Sequence, residues 1–72
     1  MNTNIQKKLA KRIRELRRKK GLSQERLAEL SGIDYKHIQL LESKNPPAAK
    51  LDTLEKLTKA FKISLPSLLS LK

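Results

Sequence analysis

Apolar residues recur near the start of the chain at the spacing of one helix face. Ile5, Leu9, Ile13 and Leu16 fall on a single stripe when successive residues turn by about 100°, while Lys7, Lys11, Arg14 and Arg18 fall on the opposite face. The spacing predicts an amphipathic helix from about Asn4 to Lys20. Thr3 and Gln6 have the spacing of a capping box at its start, and Gly21 is a fitting stop signal.

Four shorter helical segments follow. Ser23 is an N-cap with Glu25 near the positive helix end, and Leu27, Ala28 and Leu30 give this second helix an inner side up to Ser31-Gly32. Asp34 is expected to cap a third helix running to about Glu42 or Ser43, with Ile38 and Leu41 pointing inward beside Ile33. Lys44-Asn45-Pro46-Pro47 stops it, because proline lacks a backbone donor and biases its predecessor toward extended structure. A fourth helix, about Leu51 to Phe61, places Leu51, Leu54, Leu57, Ala60 and Phe61 inside. Ser64 caps a last short helix with Pro66 in its first turn and Leu65, Leu68 and Leu69 as apolar positions. The pattern reads as one all-α, five-helix bundle over residues 1–72, without a strand candidate.

The stretch from Gln24 to about Ser43 has the size and chemistry of a helix–turn–helix. Ala28 is small where a bulky residue would hold the third helix away, and Gly32 stands where the chain reverses and a positive φ is free only for glycine. With Ile38 and Leu41 facing the core, the third helix exposes Lys36, Gln39, Leu40 and Ser43, flanked by Tyr35 and His37. Lys and Gln reach purine edges in the major groove. Leu40 either meets a thymine methyl or packs against the later loop or a partner.

Charge sharpens this picture. The chain has 17 Lys and Arg against 7 Asp and Glu, a net charge of +10 and a pI near 10.3. Residues 1–20 carry nine of those cations and one acid, Glu15. Such a field favours polyanions, nucleic acid before an acidic membrane surface. Tyr35 and Phe61 are the only aromatics, too few for the stacking platforms of single-strand binders. No apolar run exceeds two residues, as at Leu40-Leu41, which argues against a membrane span. The charged start MNTNIQKKLAKRIRE argues against a signal peptide, so a cytoplasmic location is expected. Cys is absent and His37 has no companion ligand, so no metal or other cofactor is expected. No Gly-rich phosphate loop or His–carboxylate–nucleophile set supports an enzyme.

GLSQERLAELSGIDYKHIQLLES, followed by LDTLEKLTKAFKISLPSLL, resembles the phage-repressor and Cro family of helix–turn–helix proteins, also called the Xre family. The likeness covers about Ile13 to Leu69 and rests on Arg17, Gly21-Leu22-Ser23-Gln24, Ala28, Gly32, Ile38 and Glu42 in register. The resemblance implies a lambda-repressor-like five-helix domain whose third helix enters the major groove of double-stranded DNA. It implies that Gln24 touches a phosphate and braces the recognition helix, and that Arg17 and Glu42 pair between the first and third helices. Tyr35, Lys36 and Gln39 match positions that contact bases, and the loop after Glu42 follows the DNA backbone. Two departures stand out. Lys44 replaces the usual Gly, so the third helix is expected to run longer or its left-handed turn to move to Asn45; and Lys50 stands where Ser or Thr often caps the fourth helix.

Together these readings give sequence-specific binding of double-stranded DNA and transcriptional regulation, as a repressor. Tyr35, Lys36, Gln39 and Leu40 are the candidate base readers, with Ser23, Gln24, Ser43, Lys44 and Asn45 on the backbone. Arg14 and the residues nearest Lys19 and Lys20 are expected to approach DNA, the rest of the first helix acting by long-range attraction. One recognition helix reads only a few base pairs, so a homodimer on a two-fold-symmetric operator is expected, through Leu65, Leu68, Leu69 and Leu71. The alternative is a protein-interaction module, such as the antitoxin of a toxin–antitoxin pair. Membrane binding by the first helix ranks last, because its apolar stripe lacks interfacial aromatics.

Overall fold

The computed structural model describes residues 4–71, so Thr3 and its part in a capping box lie outside the described residues. Five helices follow in order: α1 (Asn4–Lys19), α2 (Gln24–Ser31), α3 (Tyr35–Leu41), α4 (Leu51–Phe61) and α5 (Leu65–Leu68). Among the described residues there is no strand. The largest dimension is 30 Å.

One core joins all five helices. Ile13 and Leu16 of α1, Leu27 of α2, Ile38 and Leu41 of α3, Leu54, Leu57 and Phe61 of α4, and Leu68 of α5 pack together with Ile33 from the α2–α3 turn. Three residues expected inside are exposed: Ile5 at 62%, Leu30 at 45% and Leu51 at 79%. Ile5 and Leu51 sit in the first turns of their helices, where side chains tilt toward the N-terminus and so past the end of the core. At the end of α2 the inward place of Leu30 is taken by Ser31, which is buried. The Ser31 hydroxyl accepts from Ile33 N at 3.1 Å and so satisfies a buried turn donor.

Helix ends follow local chemistry. Ser23 and Ser64 cap α2 and α5 by accepting from Arg26 N and Ser67 N. Asp34 precedes α3 without forming a side-chain cap bond, contrary to its expected role, and Lys50 likewise leaves α4 uncapped by a side chain. Gly21 and Gly32 adopt left-handed conformations, at φ 67° and 75°. Leu22 N bonds back to Arg17 O at 3.0 Å beside Gly21, and Gly32 N to Ala28 O at 2.9 Å. The third helix is not extended and Asn45 is not left-handed: α3 stops at Leu41, and Lys62 is the one non-glycine residue of positive φ among the described residues. Pro46 is buried and Ala49 packs against the core, which ties down the segment between α3 and α4.

Candidate nucleic-acid interface

The position of α3 is set by the residue that ends it. Glu42 is 5% exposed, and Arg17 of α1 grips its carboxylate with a fork, Nε to Oε2 at 2.8 Å and Nη2 to Oε1 at 3.0 Å. Such bidentate pairs fix angle as well as distance. Gln24 Nε2 adds a third bond to Glu42 Oε1 at 3.2 Å. Arg17 Nη1 also donates to Leu22 O at 2.9 Å, joining the α1–α2 turn to the same node. Arg14 Nη1 donates to the Glu42 carbonyl at 2.6 Å, giving the negative end of α3 a positive partner. Side chains of α1 and α2 therefore converge on one buried carboxylate at the end of α3, and α3 is held at a fixed tilt.

What α3 presents outward follows from that anchoring. Ile38 and Leu41 are buried, and Tyr35, Gln39, Lys36 and Leu40 form a contiguous exposed arc opposite them. Leu40 is 52% exposed and is not part of the core. Gln39 Nε2 donates to the Tyr35 hydroxyl at 3.2 Å, one helical turn away. The Gln39 amide keeps its carbonyl and one N–H, and the Tyr35 hydroxyl keeps its proton. His37 is half-buried at the margin of the arc.

Flanking this arc are the residues assigned to the DNA backbone. Ser23 is exposed; its oxygen caps α2, and its proton remains free to donate. Gln24 is half-buried, with one amide N–H spent on Glu42 and one remaining. Lys44 and Asn45 are exposed just past α3. Ser43 departs from expectation, because both of its donors are directed at Leu40 O, the hydroxyl at 2.7 Å and the backbone N–H at 3.1 Å. Neither is left for a phosphate.

A short helix–turn–helix with a fixed second helix and a polar outer arc is thus the organising feature, and its comparison with known proteins is decisive. A family profile described as helix–turn–helix matches residues 13–68. The chain belongs to the Xre family of helix–turn–helix proteins.

Over 60 residues this Xre-family chain is 42% identical to the HTH-type transcriptional regulator PuuR of Escherichia coli (strain K12), covering 83% of this chain and 32% of the relative. The same figures hold for PuuR of Shigella flexneri. The chain thus spans about a third of the length of these curated relatives. The restriction–modification controller protein C.AhdI from Aeromonas hydrophila superposes with a TM-score of 0.84 at 38% identity, covering 92% of this chain and 98% of that one. A point mutant of a second controller, C.Esp1396I, gives 0.84 at 28% identity, covering 96% and 90%.

The leucines at the end of this Xre-family domain divide into two groups. Leu68 is fully buried in the core, so it leaves the set of surface candidates for self-association. Leu65 and Leu69 remain exposed at 40% and 41%, and Leu71 is half-buried. Leu69 and Leu71 line an apolar groove with Ile5, Leu9, Ala48, Ala49 and Leu54. Capped by Ser64 and with Pro66 in its first turn, the four-residue α5 turns only Leu68 into the core.

Two arginine contacts were not legible in the sequence. Arg12 Nη2 donates to Ser67 O at 2.8 Å and ties α5 to α1, and Arg14 leaves the solvent face for Glu42 O. Both lie in a run of nine cations, where nothing in spacing marks the two that turn inward. Among the described residues, no group of three or more His, Asp or Glu side chains is placed to hold a metal ion. No helix among them is long and apolar enough to cross a membrane.

Proposed function

We propose that this domain binds double-stranded DNA sequence-specifically and regulates transcription, with α3 in the major groove. The observation that carries the reading is the pairing of a rigid anchor with an exposed polar arc: Glu42 held from three sides, and Tyr35, Lys36, Gln39 and Leu40 facing outward. The Gln39 amide, oriented by Tyr35, retains one acceptor and one donor, the pair that matches adenine N6 and N7. Lys36 matches the acceptors of guanine, and Leu40 the methyl of thymine. Ser23, Gln24, Lys44 and Asn45 set the register on phosphates. PuuR is named a transcriptional regulator, and C.AhdI and C.Esp1396I are named controllers of restriction–modification, which supports regulation as the outcome.

The 30 Å length of the domain is shorter than the roughly 34 Å between half-sites one helical turn apart. One copy therefore reads one half-site, and two copies form the operator-bound unit as a homodimer. Leu65, Leu69 and Leu71 supply the apolar surface for that contact.

Selection of bound duplexes from a random DNA pool, at low and moderate salt, tests this. Recovery of a two-fold-symmetric motif that persists as salt rises is the expected result. Binding that yields no motif and collapses with salt would leave only nonspecific attraction of the basic chain.

A further inference from the structure

The charge of α1 is not spread evenly over its surface. Lys7 and Arg14 lie two turns apart on one side of the helix, with the buried Ala10 between them. Ser43 and Lys44, from the segment that follows α3, form the facing wall. The result is an open cleft of about 340 Å³. Among the described residues, no carboxylate lies within 4.0 Å of Lys7, Arg14 or Lys44. Arg14 spends one donor on Glu42 O, which locks the cleft to the end of α3 and leaves further guanidinium N–H groups. The other cationic hollow of α1 differs: Lys8, Lys11 and Arg12 share it with Glu15, and Arg12 is turned to Ser67 O.

We propose that the cleft between α1 and the segment after α3 is a phosphate site, in which Lys7, Arg14 and Lys44 take one phosphodiester of the duplex. The proposal rests on the duplex-binding reading above and extends its footprint onto α1. A phosphate here lies at the C-terminal end of the α3 arc, where Arg14 already neutralises the helix end. It also removes an energetic liability. Three cations around one cleft without a carboxylate repel one another, and an anion between them turns that repulsion into attraction. Lys7 becomes a direct contact instead of a source of long-range attraction.

The test compares the full chain with its Lys7→Gln, Lys44→Gln and double variants on the selected duplex, or on a random-sequence duplex, across a salt series. Both residues are exposed, so the fold is kept, and the thermal melts are expected at or slightly above the wild-type value as the repulsion is relieved. The double variant is expected to bind about tenfold more weakly, with the slope of log K against log salt reduced by about 1. Lys8→Gln removes the same charge about a quarter-turn away on α1 and is expected to leave the slope nearly unchanged. A neutral methylphosphonate placed at successive backbone positions should erase the difference between wild type and Lys7→Gln at one position only. Equal effects of Lys8→Gln and Lys7→Gln, or additivity with methylphosphonate everywhere, overturn the phosphate site while leaving duplex binding intact. If the wild-type chain retains no duplex, the duplex-binding reading itself fails, and the site with it.

Discussion

Arg17 and Glu42 hold the first and third helices together through a two-pronged ion pair, Nε–Oε2 at 2.8 Å and Nη2–Oε1 at 3.0 Å. The two side chains are 13% and 2% exposed, so the pair is largely withdrawn from solvent. Its consequence is directional. The outward face of α3 is defined by what Glu42 is tied to, and Gln24 and Arg14 reinforce the same point from α2 and α1.

Removing one partner leaves the other buried charge uncompensated. Arg17→Leu is expected to cost about 3–5 kcal/mol, since the Glu42 carboxylate would keep only the neutral Gln24 amide as a side-chain partner. Against a stability of roughly 4–11 kcal/mol, from ~0.05–0.15 per residue, that leaves a marginal fold. The Arg17→Leu/Glu42→Leu double variant should recover much of the loss. Urea denaturation of the four proteins checks this; a double variant as unstable as the sum of the singles would refute the coupling.

Gln39 and Tyr35 form the next linked pair. Gln39→Ala should relax discrimination at one base pair per half-site by about 1–3 kcal/mol, without altering the thermal melt. Tyr35→Phe removes the hydroxyl that orients the Gln39 amide, so its effect should fall on the same base pair and vanish in the Gln39→Ala background. Competition binding with single-base-pair variants of the selected duplex reads both. A uniform loss across all sequences would show that Gln39 only positions the helix.

Leu68 and Leu69 are neighbours in sequence with opposite expected effects. Leu68→Ala opens a cavity in the core and should destabilise by about 2–5 kcal/mol. Leu65→Ser/Leu69→Ser should leave the melt near wild type and weaken self-association. Sedimentation equilibrium alongside thermal unfolding separates the two, and an unchanged dimerisation constant in the serine variant would remove these leucines from the dimer contact.

Left-handed residues give a further pair of predictions. Lys62 adopts φ 57° at the end of α4, where a side chain costs about 1–2 kcal/mol relative to glycine. Lys62→Gly returns part of that strain and gives up some unfolded-state entropy, for a net gain of about 0.5–1 kcal/mol. Gly32→Ala should lose about 1–2 kcal/mol from backbone strain alone, because an added Cβ there meets nothing within 4 Å. Calorimetric melting should show shifts of opposite sign, at about 4–8 °C per kcal/mol for a domain of this size.

The sequence by itself determined the helices, their order and most of the core. Ile13, Leu27, Ile38, Leu57 and Phe61 recur at helical spacing, Ser23, Gly32 and Ser64 mark ends, and these signals act over only a few residues. The exposed arc of α3 was legible for the same reason, since burying Ile38 and Leu41 leaves Tyr35, Lys36, Gln39 and Leu40 outside whatever else the chain does. Tertiary structure decided which polar groups were spent inside the molecule. Arg12 and Arg14 share a cationic run with Lys8 and Lys11, yet their carbonyl partners, on Ser67 and Glu42, are 55 and 28 residues away. Ser31 became a core residue, and Leu68 rather than Leu65 or Leu69 filled the last space in the core. Periodicity fixes the direction of a side chain relative to its own helix, whereas burial depends on where other helices end. For Ile5 and Leu51 the core simply stopped short of the first turn.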